Sequence, residues 1–90
     1  MKKLVITVVG ADKVGIIAGV SRYLADQSIN ILGISQTVMD GIFTMTLMCD
    51  MDETKATVQD VQKAMNEVGT KLGVEIRAQL ADIFYAMHRI

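Results

Sequence analysis

Polar and glycine residues suited to holding a ligand cluster in one stretch, Gly10-Ala11-Asp12-Lys13-Val14-Gly15-Ile16, where an apolar run gives way to a helical pattern. Asp12 stands where a helix N-cap would, its carboxylate able to accept the amide of Gly15 three residues on. Glycine at 15 lets another backbone or a ligand come close to the first helical turn. Unpaired N–H groups at such a helix start attract anions, so the stretch suits a small carboxylate. The same residues also suit a plain capped helix whose glycine serves only close packing. Asn30, followed by Ile31, adds a carboxamide at the start of an apolar strand. There it can hold an ammonium or a carboxylate, or satisfy neighbouring backbone groups.

Other chemistry finds little support. Lys13 can pair with a ligand carboxylate, but an exposed lysine in a first turn is ordinarily just solvated. The single cysteine, Cys49, sits on an apolar strand pattern with no histidine or cationic cluster near it in sequence, and reads as a small buried hydrophobe. His88 is the only histidine, so one chain cannot assemble a multi-histidine metal site from it. No Ser/His/Asp set or adjacent carboxylate pair is identifiable, and Gly10 to Gly15 lacks the Lys-Ser/Thr ending of a phosphate loop. The expectation is a binding module with no catalytic residues, no metal and no cofactor.

The elements that must position these residues follow from length and pattern. Ninety residues suffice for one two-layer core and not for a second. With no proline, no tryptophan and seven methionines, that core is built from aliphatic and thioether side chains that pack adaptably and specify shape loosely, so oligomerisation would help it. Nine basic against ten acidic residues leave a net charge of -1 without a basic run, which argues against nucleic acid and against an anionic membrane surface. The uncharged run from Ile29 to Met39 is too short to span a bilayer and contains Asn30, Gly33, Ser35, Gln36 and Thr37. Met1-Lys2-Lys3 before Leu4 to Val9 resembles a secretory leader superficially, but Asp12 and Lys13 end the apolar run early. One cysteine and no CxxC fit a reducing compartment, and a cytoplasmic location is expected.

Along the chain, Lys3 to Val9 is apolar and β-branched and predicts a first strand. Ile16, Ile17, Val20, Tyr23 and Leu24 recur at helical spacing and predict a helix from Lys13 to about Gln27. Strand chemistry restarts at Ser28-Ile29-Asn30-Ile31, and its phase slips near Gly33 as a β-bulge would make it. Asp40-Gly41 predicts a two-residue type I′ turn between strands two and three, the latter alternating through Phe43, Met45, Leu47, Cys49 and Met51. After a polar connection from Asp50 to Lys55, Val58, Val61, Met65, Val68 and Leu72 form a helical stripe closed by Gly73. Val74, Ile76, Ala78 and Leu80 then alternate as a fourth strand, and Leu80, Ile83, Phe84, Met87 and Ile90 fit one side of a short helix.

The order βαββαβ is that of an α+β, ferredoxin-like sandwich: a four-stranded antiparallel sheet with two helices on one face, here with a short C-terminal helix added. Residues 1–80 make the domain and 81–90 a helical tail, packed on the domain or on a dimer partner through Phe84 and Met87. Fold alone does not give function. RNA-recognition domains of this fold need stacking aromatics on the central strands, and metallochaperones paired cysteines in the first loop; those places hold Leu4 to Val9, Phe43 to Cys49 and Ala11-Asp12-Lys13, which argues against both.

Through Gly10-x-Asp12-x-x-Gly15-Ile16-x-Ala18 and Ile29-Asn30-Ile31 the chain resembles the ACT domain, the amino-acid-sensing module of many metabolic enzymes. The resemblance covers residues 3–80. It is closest to small stand-alone ACT proteins, whose ending is also similar to Ile83-Phe84-Tyr85-Ala86-Met87-His88-Arg89-Ile90. It implies a ligand site where the first loop, Gly10, Ala11, Asp12, Lys13, Val14, Gly15 and Ile16, meets Asn30 and Ile31, across a subunit interface. Many ACT domains have proline before the glycine; Val14 stands there instead, so the loop keeps an extra N–H and a less fixed φ. The function expected is a non-catalytic regulatory module for a small amino acid or related carboxylate. The alternative is a structural domain that docks on a protein partner without a small ligand. A homodimer through the second strand and first helix is expected in either case, because that edge strand carries no Lys, Asp, Glu or Pro from Ile29 to Met39.

Overall fold

Alternating and helical patterns turn into seven elements in the computed structural model, which describes residues 2–11 and 15–87: β1 (Lys3–Ala11), α1 (Ile16–Asp26), β2 (Asn30–Met39), β3 (Ile42–Asp50), α2 (Val58–Leu72), β4 (Glu75–Leu80) and α3 (Ala81–Met87). The strands form one antiparallel sheet in the order β2-β3-β1-β4. This is the ferredoxin-like arrangement expected from the βαββαβ order.

Period-two alternation decides which side chains enter the core. Leu4, Ile6 and Val8 of β1, Phe43, Met45, Leu47 and Cys49 of β3, and Ile76 and Ala78 of β4 face the helices and are buried. They pack with Ile16, Val20 and Leu24 of α1 and with Val61 and Met65 of α2. Methionine occupies two central places, Met45 at 1% and Met65 at 0% exposure, where a flexible thioether fills an irregular space between helix and sheet.

Turn chemistry sets the connections. Asp40 and Gly41 adopt φ 51 and 78, the paired positive values that a type I′ turn requires and that aspartate and glycine tolerate. The β2–β3 register shifts between Ile31 and Gly33, a bulge at the place where the apolar phase slips. Gly73 closes α2 in the left-handed conformation at φ 72. At the other end of α2, Thr57 accepts from the Asp60 amide at 3.1 Å while Asp60 accepts from the Thr57 amide at 2.9 Å. This capping box lies just past the stretch read from sequence as a plain polar connection, and Thr57-x-x-Asp60 was its signal. The Thr54 hydroxyl donates to the Gln27 carbonyl and ties that connection to the end of α1.

Several expectations need correction. The first helix runs from Ile16 to Asp26, shorter than the predicted span from Lys13. Its N-cap is Gly15, at φ 94, while Asp12, expected as the capping carboxylate, lies outside the described residues. β1 also continues through Gly10 and Ala11, which sequence reading placed in the loop. The C-terminal helix packs against β1 and β4, on the sheet face turned away from α1 and α2. Within it Ala81 is the buried residue, whereas Met87, expected to be an anchor, is 64% exposed. Asp12, Lys13, Val14, His88 and Ile90 lie outside the described residues.

Candidate functional site

At the carboxyl end of β1, Gly10 stands opposite Phe43 and Ala11 opposite Ile42, beside the Asp40-Gly41 hairpin. Glycine at 10 has a packing reason: a Cβ there would lie 2.6 Å from Val74 Cγ1. Gly15 has a backbone reason, because only glycine takes φ 94 without strain. Among the described residues nothing would meet a Cβ at Gly15 within 4 Å. No acidic side chain stands in the first turn of α1. The first N–H groups of a helix and the positive end of its dipole attract anions, and no carboxylate of that turn competes for them here. Ile16 contributes only its backbone to this surface, since its side chain is 2% exposed in the core.

Asn30 and Ile31 lie elsewhere. Asn30 opens β2 opposite Asp50, and Asp50 is opposite Lys3 at the beginning of β1. Along β3 the rows of Ala11 and Asn30 are eight residues apart, from Ile42 to Asp50. At a rise of about 3.4 Å per residue that is ~27 Å. Within one chain the two halves of the predicted site are therefore at opposite ends of the sheet. The Asn30 end is a recess of about 340 Å³ lined also by Ser28, Ile29, Asp50 and Glu53. Two carboxylates and a carboxamide suit an ammonium there, whereas the α1 start suits a carboxylate. Ile31 stands opposite Cys49 and packs against the core.

Two further groups with chemical potential, Cys49 and Tyr23, lie among the described residues. Cys49 is fully buried, and desolvation raises its pKa from the ordinary 9.0 to about 11, which leaves a neutral thiol and no nucleophile at physiological pH. Tyr23 is shifted upward by burial and, less, by the charge of Asp60. Among the described residues no group of three His, Cys, Asp or Glu is placed to hold a metal, and no helix is long and apolar enough to cross a membrane.

A four-stranded antiparallel sheet with α1 and α2 on one face defines an α+β domain of the ferredoxin-like class. Residues 2–79 match the family model of the ACT domain, and the chain belongs to that family. It is 42% identical to a UPF0237 protein from Methanocaldococcus jannaschii over 90 residues, covering all of both chains. It is also similar to the solved structure of an ACT domain protein from Streptococcus pneumoniae, at a TM-score of 0.80 and 44% identity, over 92% of this chain and 93% of that one. The regulatory subunit of aspartate kinase from Thermus thermophilus superposes with a TM-score of 0.65 at 25% identity, over 87% of this chain and 50% of that one.

Proposed function

We propose that this chain is a non-catalytic regulatory module that binds a small amino acid, or a related carboxylate, between two copies of itself. The observation that carries this reading is the separation of a carboxylate-attracting end at Gly15 from an ammonium-attracting end at Asn30, Asp50 and Glu53. An antiparallel β2–β2 pairing about a two-fold axis reverses one strand against the other. It brings the Asn30 end of one copy toward the loop end of the second, where a zwitterion has a partner for each charge.

The exposed surface supports such a pairing. On β2 and α1, Leu32, Ile34, Val38 and Ile17 are 45%, 50%, 57% and 43% exposed, although Ile34 and Val38 stand opposite the core residues Leu47 and Phe43. Side chains on the core face of a sheet are left uncovered only where the helix layer ends. A second α1 would complete that layer, and a second β2 would pair the bare edge. The family membership and the similarity to a regulatory subunit favour regulation over catalysis, and a lone reduced cysteine favours the cytoplasm.

The docking alternative draws on α3, where Ile83, Tyr85 and Met87 are more than half exposed. A thermal-shift screen of the twenty amino acids separates the two. A ligand at about 100 times its Kd adds ~2.7 kcal/mol, which at about 4–8 °C per kcal/mol moves the midpoint by roughly 10–20 °C in a chain of this size. The shift should shrink in Asn30→Ala and Glu53→Gln. If no amino acid moves the midpoint at millimolar concentration, the docking alternative takes over.

A further inference from the structure

The sheet face turned away from α1 and α2 carries a second constellation. Alternation puts Thr7, Thr44 and Thr46 on it, and the register sets Thr7 between Thr46 on β3 and Arg77 on β4. The three hydroxyls make no side-chain hydrogen bond among the described residues. A plain solvated sheet face would be open on all sides, but α3 stands on this one as a wall. Phe84 and Met87 line one side of an open groove of about 530 Å³ whose floor is the three threonines and Val9. That volume falls within the range of small-molecule sites, about 300–1,000 Å³. At the foot of the wall the Gln79 amide donates to Met87 Sδ at 3.3 Å, which leaves its carbonyl oxygen to accept.

The chemistry of the lining narrows the occupant. A hydroxyl donates and accepts, so three of them beside the Gln79 amide match an edge that mixes donors and acceptors. An aromatic ring and a thioether favour a flat π surface. The rim carries Glu75 and Arg77, whose carboxylate and guanidinium meet at 2.7 Å. Because that pair closes on itself, an anion drawn to Arg77 is repelled by Glu75 and a cation meets the reverse, so net charge on a ligand gains nothing. We infer that this groove binds a small, flat, uncharged heteroaromatic ring, its face against Phe84 and Met87 and its edge hydrogen-bonded to Thr7, Thr46 and Gln79. The groove lies on the opposite face from the α1 surface of the proposed amino-acid site, so the two readings stand or fall separately.

The experiment is a titration of the full-length chain, followed through backbone amide resonances, with adenine as the probe and adenosine 5′-monophosphate as its charged counterpart. Adenine at millimolar concentration should move the amides of Thr7, Thr46, Gln79 and Phe84, and the monophosphate should bind more weakly. The double variant Thr7→Val and Thr46→Val keeps the shape of the floor and removes its hydrogen bonds, and adenine affinity should fall about tenfold or more. The inference is overturned if those amides do not move, if the double variant binds adenine as the parent does, or if the monophosphate binds as tightly as the free base.

Discussion

The side-chain amide of Gln62 donates to the carbonyl of Ala78 at 3.0 Å, reaching from α2 across to β4, the strand at one edge of the sheet. A backbone acceptor that another strand could use is thereby occupied. β2, at the other edge, carries no charged residue or proline along its length. The two edges thus differ in what they offer a second chain.

The first prediction concerns assembly. The parent chain should elute as a dimer at micromolar concentration by light scattering coupled to size exclusion. Ile34→Lys, which sets like charges together across the proposed two-fold, should be monomeric. Gln62→Leu should keep the dimer and add larger species, since it frees the Ala78 carbonyl. A dimer unchanged by Ile34→Lys would place the interface away from β2.

Two glycines in helices should respond to alanine with opposite signs. Helix propensity favours alanine over glycine by about 1 kcal/mol. At Gly19 a Cβ would meet only Val68 Cγ1 at 3.6 Å and Leu72 Cδ1 at 3.7 Å, ordinary contacts, so Gly19→Ala should gain roughly that amount. At Gly69 it would lie 2.7 Å from the Val74 carbonyl oxygen, a backbone atom that cannot step aside. Gly69→Ala should destabilise by about 1–3 kcal/mol, the typical cost of overpacking, despite the helix gain. Urea denaturation of both variants reads the two signs.

Cys49 should be inert to thiol reagents at neutral pH unless the chain unfolds. Its folded pKa, about 11, lies above the ordinary 9.0, so the native state holds the proton more tightly than the unfolded one. The corresponding stability is fully present below pH 9.0 and is lost as pH rises from there through about 11. Cys49→Ala should show a lower plateau and less of this alkaline decline. Fast labelling of the folded parent at pH 7 would contradict the buried thiol.

The tail helix should contribute to stability from the face opposite the main core. Val5 alternates onto that face, opposite Met48 and Gln79, and is nevertheless only 1% exposed. α3 packs on β1 and β4, the strands that carry Val5 and its partner Gln79. Deleting residues 82–90 should uncover Val5 and lower the unfolding free energy by about 1.5–3 kcal/mol, the contribution of one buried aliphatic side chain. A truncated chain as stable as the parent in denaturant would show that Val5 is buried by something else.

Features that depend only on neighbours along the chain were legible from residue types. Asp40-Gly41 specifies a turn with two positive φ angles, Gly73 a left-handed helix end, and the phase slip near Gly33 a bulge, because each is a local conformational preference. Period-two and helical alternation likewise separated the buried from the wet face of β3, β4 and α2, whereas the continuous apolar run of β1 did not, and the order of elements then left one topology. Tertiary structure decided the rest. That Gly10 is required by Val74, and Gly69 by the carbonyl of that same residue, follows from strands and helices meeting far apart in sequence. That α1 begins only after Gly15, at a φ of 94 that asks for glycine, was not legible in the helical periodicity that ran back to Lys13. The periodicity of α3 marked an apolar side without saying which surface would receive it. Both faces of the sheet present apolar groups, and the α1 and α2 layer already occupies one, so the tail crosses the other and builds a walled groove from threonines that alone would read as a solvated strand face.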